Sequence, residues 1–273
     1  MSEQRLDVAL VARGLARSRT AAARAVAAGH VRVEGTVVTR PAARVPDGAL
    51  LELAPARHVS RAGAKLDAAL DAFAVDPAGR LALDIGASTG GFTGVLLERG
   101  ARRVIALDVG HGQLVPELRR DPRVVVVEGE NARALTADRL AELAGDPEPP
   151  SLVVADLSFI SLAHVLPAIA AVLAPAGDAV CLVKPQYEVG RERVRGGLVP
   201  DAADRAEAVQ RVLAAAWSLG LGTAGVLGSP VVGTHGNREA LVHLRPALGS
   251  DPGGWVEQVR DATAGVEGGS RGR

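Results

Sequence analysis

From residue 81 to residue 244, short apolar runs alternate with helix-patterned stretches, and few architectures satisfy that rhythm. Strand-like runs fall at 81–85, 103–108, 123–128, 152–156, 179–184, 223–228 and 239–244. Helical periodicity fills the gaps at 64–73, 92–100, 113–119, 138–144, 161–174 and 203–219. Strand and helix alternating at this spacing predict an α/β fold, a Rossmann-like, seven-stranded, mostly parallel sheet covered by helices. The connection at 229–238 is short and rich in Gly and Pro, so the last two strands should pair antiparallel.

Composition narrows the class. Hydrophobic residues make up 48% of the 273, enough for a sizeable core, while aromatics are only 2%. A single cysteine, Cys181, excludes a disulfide framework and a Cys-built zinc site. No apolar run reaches the roughly 20 residues of a membrane-spanning helix. The longest candidate, 162–183, is broken by His164, Pro167, Pro175 and Asp178. The amino terminus lacks the basic-then-apolar layout of a secretory signal, so a cytoplasmic protein is expected.

Charge is unevenly spread. The 31 basic and 31 acidic residues cancel, yet residues 1–60 carry a net +4. A short helix at 5–13 is stopped by Gly14, and Ser18 can cap a second helix ending before Gly29. Strands at 30–33, 36–38 and 50–53 follow. The segments 10–19 and 28–35 resemble the S4 RNA-binding domain, which implies structured RNA held through phosphates and shape. Such recognition needs few aromatics. The expected boundaries are an RNA-binding module at 1–60, a linker near 54–62, a catalytic domain at 64–246 and a weakly structured tail at 247–273, with a helix near 254–263 inside it.

The basic residues are also unequal in kind. Only Lys65 and Lys184 are lysines, and the other 29 are arginines. In a chain that defaults to arginine, lysine marks places where a proton must leave the cation.

Residues 81–92 read as strand, glycine turn and helix start. Glycine there lets the backbone approach a ligand, and the helix amino end favours anionic groups. Asp108 ends the next strand, where a carboxylate can accept from ribose hydroxyls. The glycines at 86, 90 and 91 do not give the dinucleotide fingerprint and suit S-adenosylmethionine better. A rival reading takes Gly86 to Gly90 as a Gly-x-Ser-x-Gly nucleophile elbow, with Ser88, Asp201 or Asp204, and His235 as a triad. The elbow would then follow the first strand of the region, with no earlier strand to supply an oxyanion loop. Asp156 and Lys184 close two further strands and so should converge on the same sheet edge.

Longer motifs identify a family. Residues 59–66, 84–93, 107–114, 121–126, 131–133, 155–162, 182–186 and 236–239 resemble the TlyA (hemolysin A) family. The resemblance spans about residues 3–245. It implies an S-adenosylmethionine-dependent methyltransferase acting on the cytidine ribose 2′-oxygen of ribosomal RNA, without a metal. The substrate would be ribosomal RNA or ribosomal subunits, with no obligate protein partner and no membrane. The catalytic part resembles FtsJ-like enzymes, whose Lys-Asp-Lys-Glu tetrad carries over to Lys65, Asp156, Lys184 and Glu239. The cofactor would lie against Asp84, Gly86, Ala87, Ser88, Thr89, Gly90, Gly91, Phe92, Asp108, Asn131 and Asp156. Arg5, Arg17, Arg19, Arg40 and Arg61 would meet RNA. His111 stands where the family usually has tyrosine. The family's hemolysin label suggests a cytolysin or non-catalytic RNA-binding protein as an alternative, but no pore-forming amphipathic run accompanies it.

Overall fold

The computed structural model of the chain describes residues 3–16, 18–27, 29–53, 59–233, 236–246 and 248–264. Two compact units divide between residues 57 and 58.

In the first unit, α1 (Leu6–Ala12) and α2 (Arg19–Ala27) pack on short strands. Leu6 and Leu10, one turn apart, are buried with Val26, Val31, Val45 and Leu51. β1 (Glu3–Arg5) pairs antiparallel with β4 (Arg44–Pro46). β2 (Val31–Val33), β3 (Thr36–Val37) and β5 (Leu51–Leu53) make a three-stranded sheet in the order β3-β2-β5. The sequence reading missed β1 and β4. Glu3, Gln4 and Arg5 carry no apolar alternation, and only pairing with a distant segment makes them a strand. Arg13 is a clamp, its guanidinium donating to the carbonyls of Ala49 and Asp47.

The second unit is built on a seven-stranded sheet. Its strands are β6 (Leu81–Ile85), β7 (Arg103–Asp108), β8 (Val124–Glu128), β9 (Leu152–Ala155), β10 (Asp178–Val183), β11 (Gly222–Gly228) and β12 (Ala240–Arg245). Their spatial order is β11-β12-β10-β9-β6-β7-β8. Pairing is parallel from β8 through β10, while β12 runs antiparallel to both β10 and β11. The antiparallel expectation for the last two strands holds. Successive side chains alternate between two cores. Leu81, Leu83 and Ile85 face one layer with Val209 and Leu213, while Ala82 faces the other with Leu66 and Phe92.

The helices are α3 (Arg61–Ala72), α4 (Gly91–Glu98), α5 (Pro116–Arg119), α6 (Ala137–Ala144), α7 (Leu166–Val172), α8 (Pro185–Glu188), α9 (Ala202–Ser218) and α10 (Val256–Thr263). The expected helix at 161–174 is interrupted. A 3-10 turn at Leu162–His164 precedes α7, whose first turn holds Pro167, where a missing N–H costs nothing. Pro116 likewise opens α5 later than the sequence suggested.

The linker expected near 54–62 ends earlier, since α3 begins at Arg61, and residues 54–58 lie outside the described residues. The helix expected near 254–263 within the tail is present as α10. Val259 and Thr263 are buried there, and the Arg205 guanidinium donates to the Thr263 carbonyl. A buried arginine serving that carbonyl fastens α10 to α9. Residues 265–273 lie outside the described residues.

Candidate active site at the sheet edge

Strand order sets where a ligand can lie. From β6 the chain winds outward through β7 and β8, then returns to β9 on the opposite side. The connections therefore diverge between β6 and β9, which opens a crevice beyond their carboxyl ends. Gly86 and Asp156 sit at that point. Gly86 has φ +86°, and a Cβ there would come within 2.7 Å of the Asp156 carbonyl oxygen. Only glycine fits. Gly90 (φ +95°) opens α4, and a Cβ there would lie 2.8 Å from Leu114 Cδ1.

Asp84 is fully buried, and the Thr93 hydroxyl donates to its Oδ2 at 2.6 Å. Its Oδ1 is buried without a hydrogen-bond partner. Burial pushes this carboxyl up to about 7, opposed by the Thr93 hydrogen bond and reinforced by the Asp156 charge. Asp108 closes β7 and ties the loops together, Oδ2 accepting from Ser88 N at 2.8 Å and Oδ1 from Gly110 N at 2.7 Å. Each oxygen keeps a second lone pair for a hydroxyl donor. Asn131 caps a 3-10 turn through Arg133 N at 3.1 Å and is exposed. Ala87 is buried, while Ser88 and Thr89 are exposed beside the crevice. The Phe92 ring is 2% exposed and packs in the core, which leaves its backbone to face the loop.

The tetrad residues come from four elements and form two ion pairs. Lys184, just beyond β10, places Nζ 2.6 Å from Asp156 Oδ1 and donates to the Ser158 hydroxyl at 3.0 Å. Lys65 on α3 donates to Glu239 Oε2, and both side chains are buried. Val183 pairs with Ala240, so Lys184 and Glu239 occupy adjacent positions one step past that pairing. Asn237 braces the Glu239 turn, accepting from Val199 N at 3.1 Å and donating to the Gly197 carbonyl.

The first unit presents its arginines differently. Asp7 is buried, and Arg5 (2.9 Å) and Arg19 (3.4 Å) both pair with it. The Arg5 hydrogen bond holds the Asp7 carboxyl below its ordinary value. Arg40 is exposed, whereas Arg61 belongs to the second unit as the first residue of α3. Arg17 lies outside the described residues.

Hydrolase chemistry finds no triad among the described residues. Ser88 Oγ meets Gln113 at 3.1 Å, Asp201 caps α9, and Asp204 pairs with Arg193. His235 lies outside the described residues.

Sequence reasoning also missed several neighbours of the lysines. Ser158 meets Lys184, Glu188 meets Ser161 and Leu162, and Phe159 is 91% exposed with φ +65°. The Phe159 ring lies 5.6 Å from that of Tyr187. Their signal was position, since 156–162 and 184–188 each leave the carboxyl end of a strand.

A glycine cradle and a ribose-competent acid at the switch point of this sheet define a Rossmann-like methyltransferase class. The FtsJ-like methyltransferase pattern matches residues 58–246, the S4 domain pattern matches residues 4–51, and the chain belongs to this methyltransferase family. It is 50% identical over 245 residues to the 16S/23S rRNA (cytidine-2′-O)-methyltransferase TlyA of Mycobacterium tuberculosis, covering 88% of this chain and 89% of that protein. It is 39% identical to Hemolysin A of Brachyspira hyodysenteriae, covering 88% and 99% respectively. The solved structure of a hemolysin-labelled Streptococcus thermophilus protein superposes with TM-score 0.73 at 38% identity, covering 96% of each chain. The family pattern ends at residue 246, yet the packing of this unit continues through α10.

Proposed function

We propose that the chain transfers a methyl group from S-adenosylmethionine to the ribose 2′-hydroxyl of cytidine in ribosomal RNA. The carrying observation is the pair of lysine–carboxylate contacts at the switch-point edge, where proton removal from a hydroxyl needs a cation able to release its own proton. The cradle suits a nucleoside cofactor, because Gly86 leaves room beside the Asp156 carbonyl and buried Asp84 Oδ1 keeps an unfilled acceptor position. Asp84, Asp108, Asn131 and the 86–91 loop would hold that cofactor, which supplies an electrophilic methyl group.

The remaining work belongs to the chain. Lys184 first releases a proton to solvent and, as the neutral amine, takes the 2′-hydroxyl proton, while Asp156 with Ser158 fixes its direction. Lys65, held by Glu239, fixes the ribose. Holding the hydroxyl in line supplies much of the rate. Phe159 offers an exposed ring face to a base, useful in a chain with so few aromatics. Arg5, Arg19 and Arg40 meet RNA phosphates on the first unit, joined by Arg61 on the second and by Arg17. The hemolysin label of some relatives favours no second reading, since no helix among the described residues is long and apolar enough to cross a membrane.

Lys184→Arg tests the proposal. Arginine keeps the charge but cannot give up its proton at working pH. Single-turnover methylation of rRNA lacking the modification should fall at least ~100-fold, with cofactor affinity unchanged. A near-wild-type rate would return Lys184 to a purely structural ion pair.

A further inference from the structure

Glu188 ends α8, four residues beyond Lys184, and is half-buried. Its Oε2 accepts from the Ser161 hydroxyl and its Oε1 from Leu162 N at 2.8 Å. The segment leaving β9 is thus fastened at its start by Asp156 N to the Ile85 carbonyl at 3.1 Å, in its middle by Lys184, and at its end by Glu188. Between the last two points stands Phe159, a bulky residue held at φ +65°. A non-glycine residue there is strained and persists only where its surroundings impose it. Among the described residues, the contacts that hold this segment flank residue 159 on either side.

We propose that Glu188 is a positioning residue for Lys184, clasping residues 161 and 162 so that Asp156 and Ser158 meet the lysine amine in one geometry. Without the clasp, Phe159 relaxes toward ordinary backbone angles and its neighbour Ser158 is carried away from Nζ. Because α8 follows Lys184 directly, one short helix then links the base to the group that aligns the base's partners. Burial pushes the Glu188 carboxyl up and the Ser161 hydroxyl pulls it back, as expected of an acid kept out of water to hold a loop. The inference rests on Lys184 being the base.

The test uses the full-length protein, unmodified rRNA and S-adenosylmethionine under single turnover, beside Lys184→Arg. Glu188→Ala should lower the methyl-transfer rate at least about tenfold with cofactor affinity within about twofold, the pattern of an interaction needed in the transition state. Its rate should also depend on pH differently from wild type, since the lysine amine has lost its fixed partners. Glu188→Gln retains an acceptor for Leu162 N and should recover most of the rate. Ser161→Ala removes one of the two donors, should show an intermediate loss, and carries the test if Glu188→Ala does not fold. An unchanged rate and pH profile in a folded Glu188→Ala or Ser161→Ala, or equal losses for Ala and Gln, would overturn the clasp. An inactive Lys184→Arg beside a normal Glu188→Ala removes only the clasp, whereas an active Lys184→Arg removes the base and this inference with it.

Discussion

Both units build a polar feature around a buried carboxylate, and they use it in opposite ways. In the first, Asp7 lies inside and turns Arg5 and Arg19, 41% and 63% exposed, toward solvent. In the second, the carboxylates of Glu239 and Asp156 hold lysines that are themselves largely withdrawn from water, at 9% and 12% exposure. A guanidinium that stays charged suits a surface meeting phosphates, because nothing there has to titrate. An ammonium beside a carboxylate at a sheet edge suits a step in which a proton moves. Under the proposed function, the two lysines and the arginines around Asp7 follow that division of labour.

The sharpest way to break the comparison is at the deepest pair. Glu239→Gln leaves Lys65 buried without its counter-charge and should cost about 3 kcal/mol of stability along with most of the activity. Urea unfolding followed by Trp217 and Trp255, both in the second unit, reads the stability term. A Lys65→Met, Glu239→Leu double variant should recover stability while remaining inactive, and recovered activity would demote the pair to packing.

Asp84 gives the next effect. Its folded carboxyl is raised to about 7 from an ordinary 3.8, so between those values the native state holds a proton that the unfolded chain releases. Stability from this group is therefore present below about pH 4 and lost as pH rises toward 7, by up to about 4 kcal/mol. Asp84→Asn should lack that decline, making the variant relatively more stable than wild type as pH increases. Parallel stability curves from pH 4 to 8 would show that Asp84 is not the titrating group.

The smallest effect tests the first unit, and its sign is informative. Asp7→Asn makes the module more positive, which by charge alone should tighten RNA binding. If Asp7 serves to aim Arg5 and Arg19, affinity should instead fall by about two- to threefold, the scale of a weak exposed contact. Filter binding at fixed salt distinguishes the two directions.

Much of the second unit was legible because its determinants are local. Leu81 to Ile85, the glycine turn and the residues closing each strand announce themselves through period and punctuation. Lys65 and Lys184 stood out because the surrounding chain uses arginine everywhere else. β1 escaped notice because Glu3 to Arg5 becomes a strand only by pairing with residues 44–46. The helix near 254–263 was legible, but its fastening was not, because its anchor, Arg205, is 58 residues away from Thr263. The Glu188 clasp joins two loops 27 residues apart, and no local pattern encodes such a meeting. The depth of the Phe92 ring was hidden for the converse reason, since a motif position says nothing about which way a ring points.

The reversed strand β12 has a consequence in time as well as in space. Because it runs against β10, its first residues arrive at the edge where the parallel strands end, and Glu239 is delivered to Lys65 across 174 residues of chain. As the chain is synthesised from its amino end, the glycine cradle, Asp156 and Lys184 all emerge before Glu239. A nascent chain can therefore assemble its cofactor cradle early, but the tetrad closes only once residue 239 has been made. Within this sheet, the reversed strand acts as the latch on a site whose other parts have been waiting since the first.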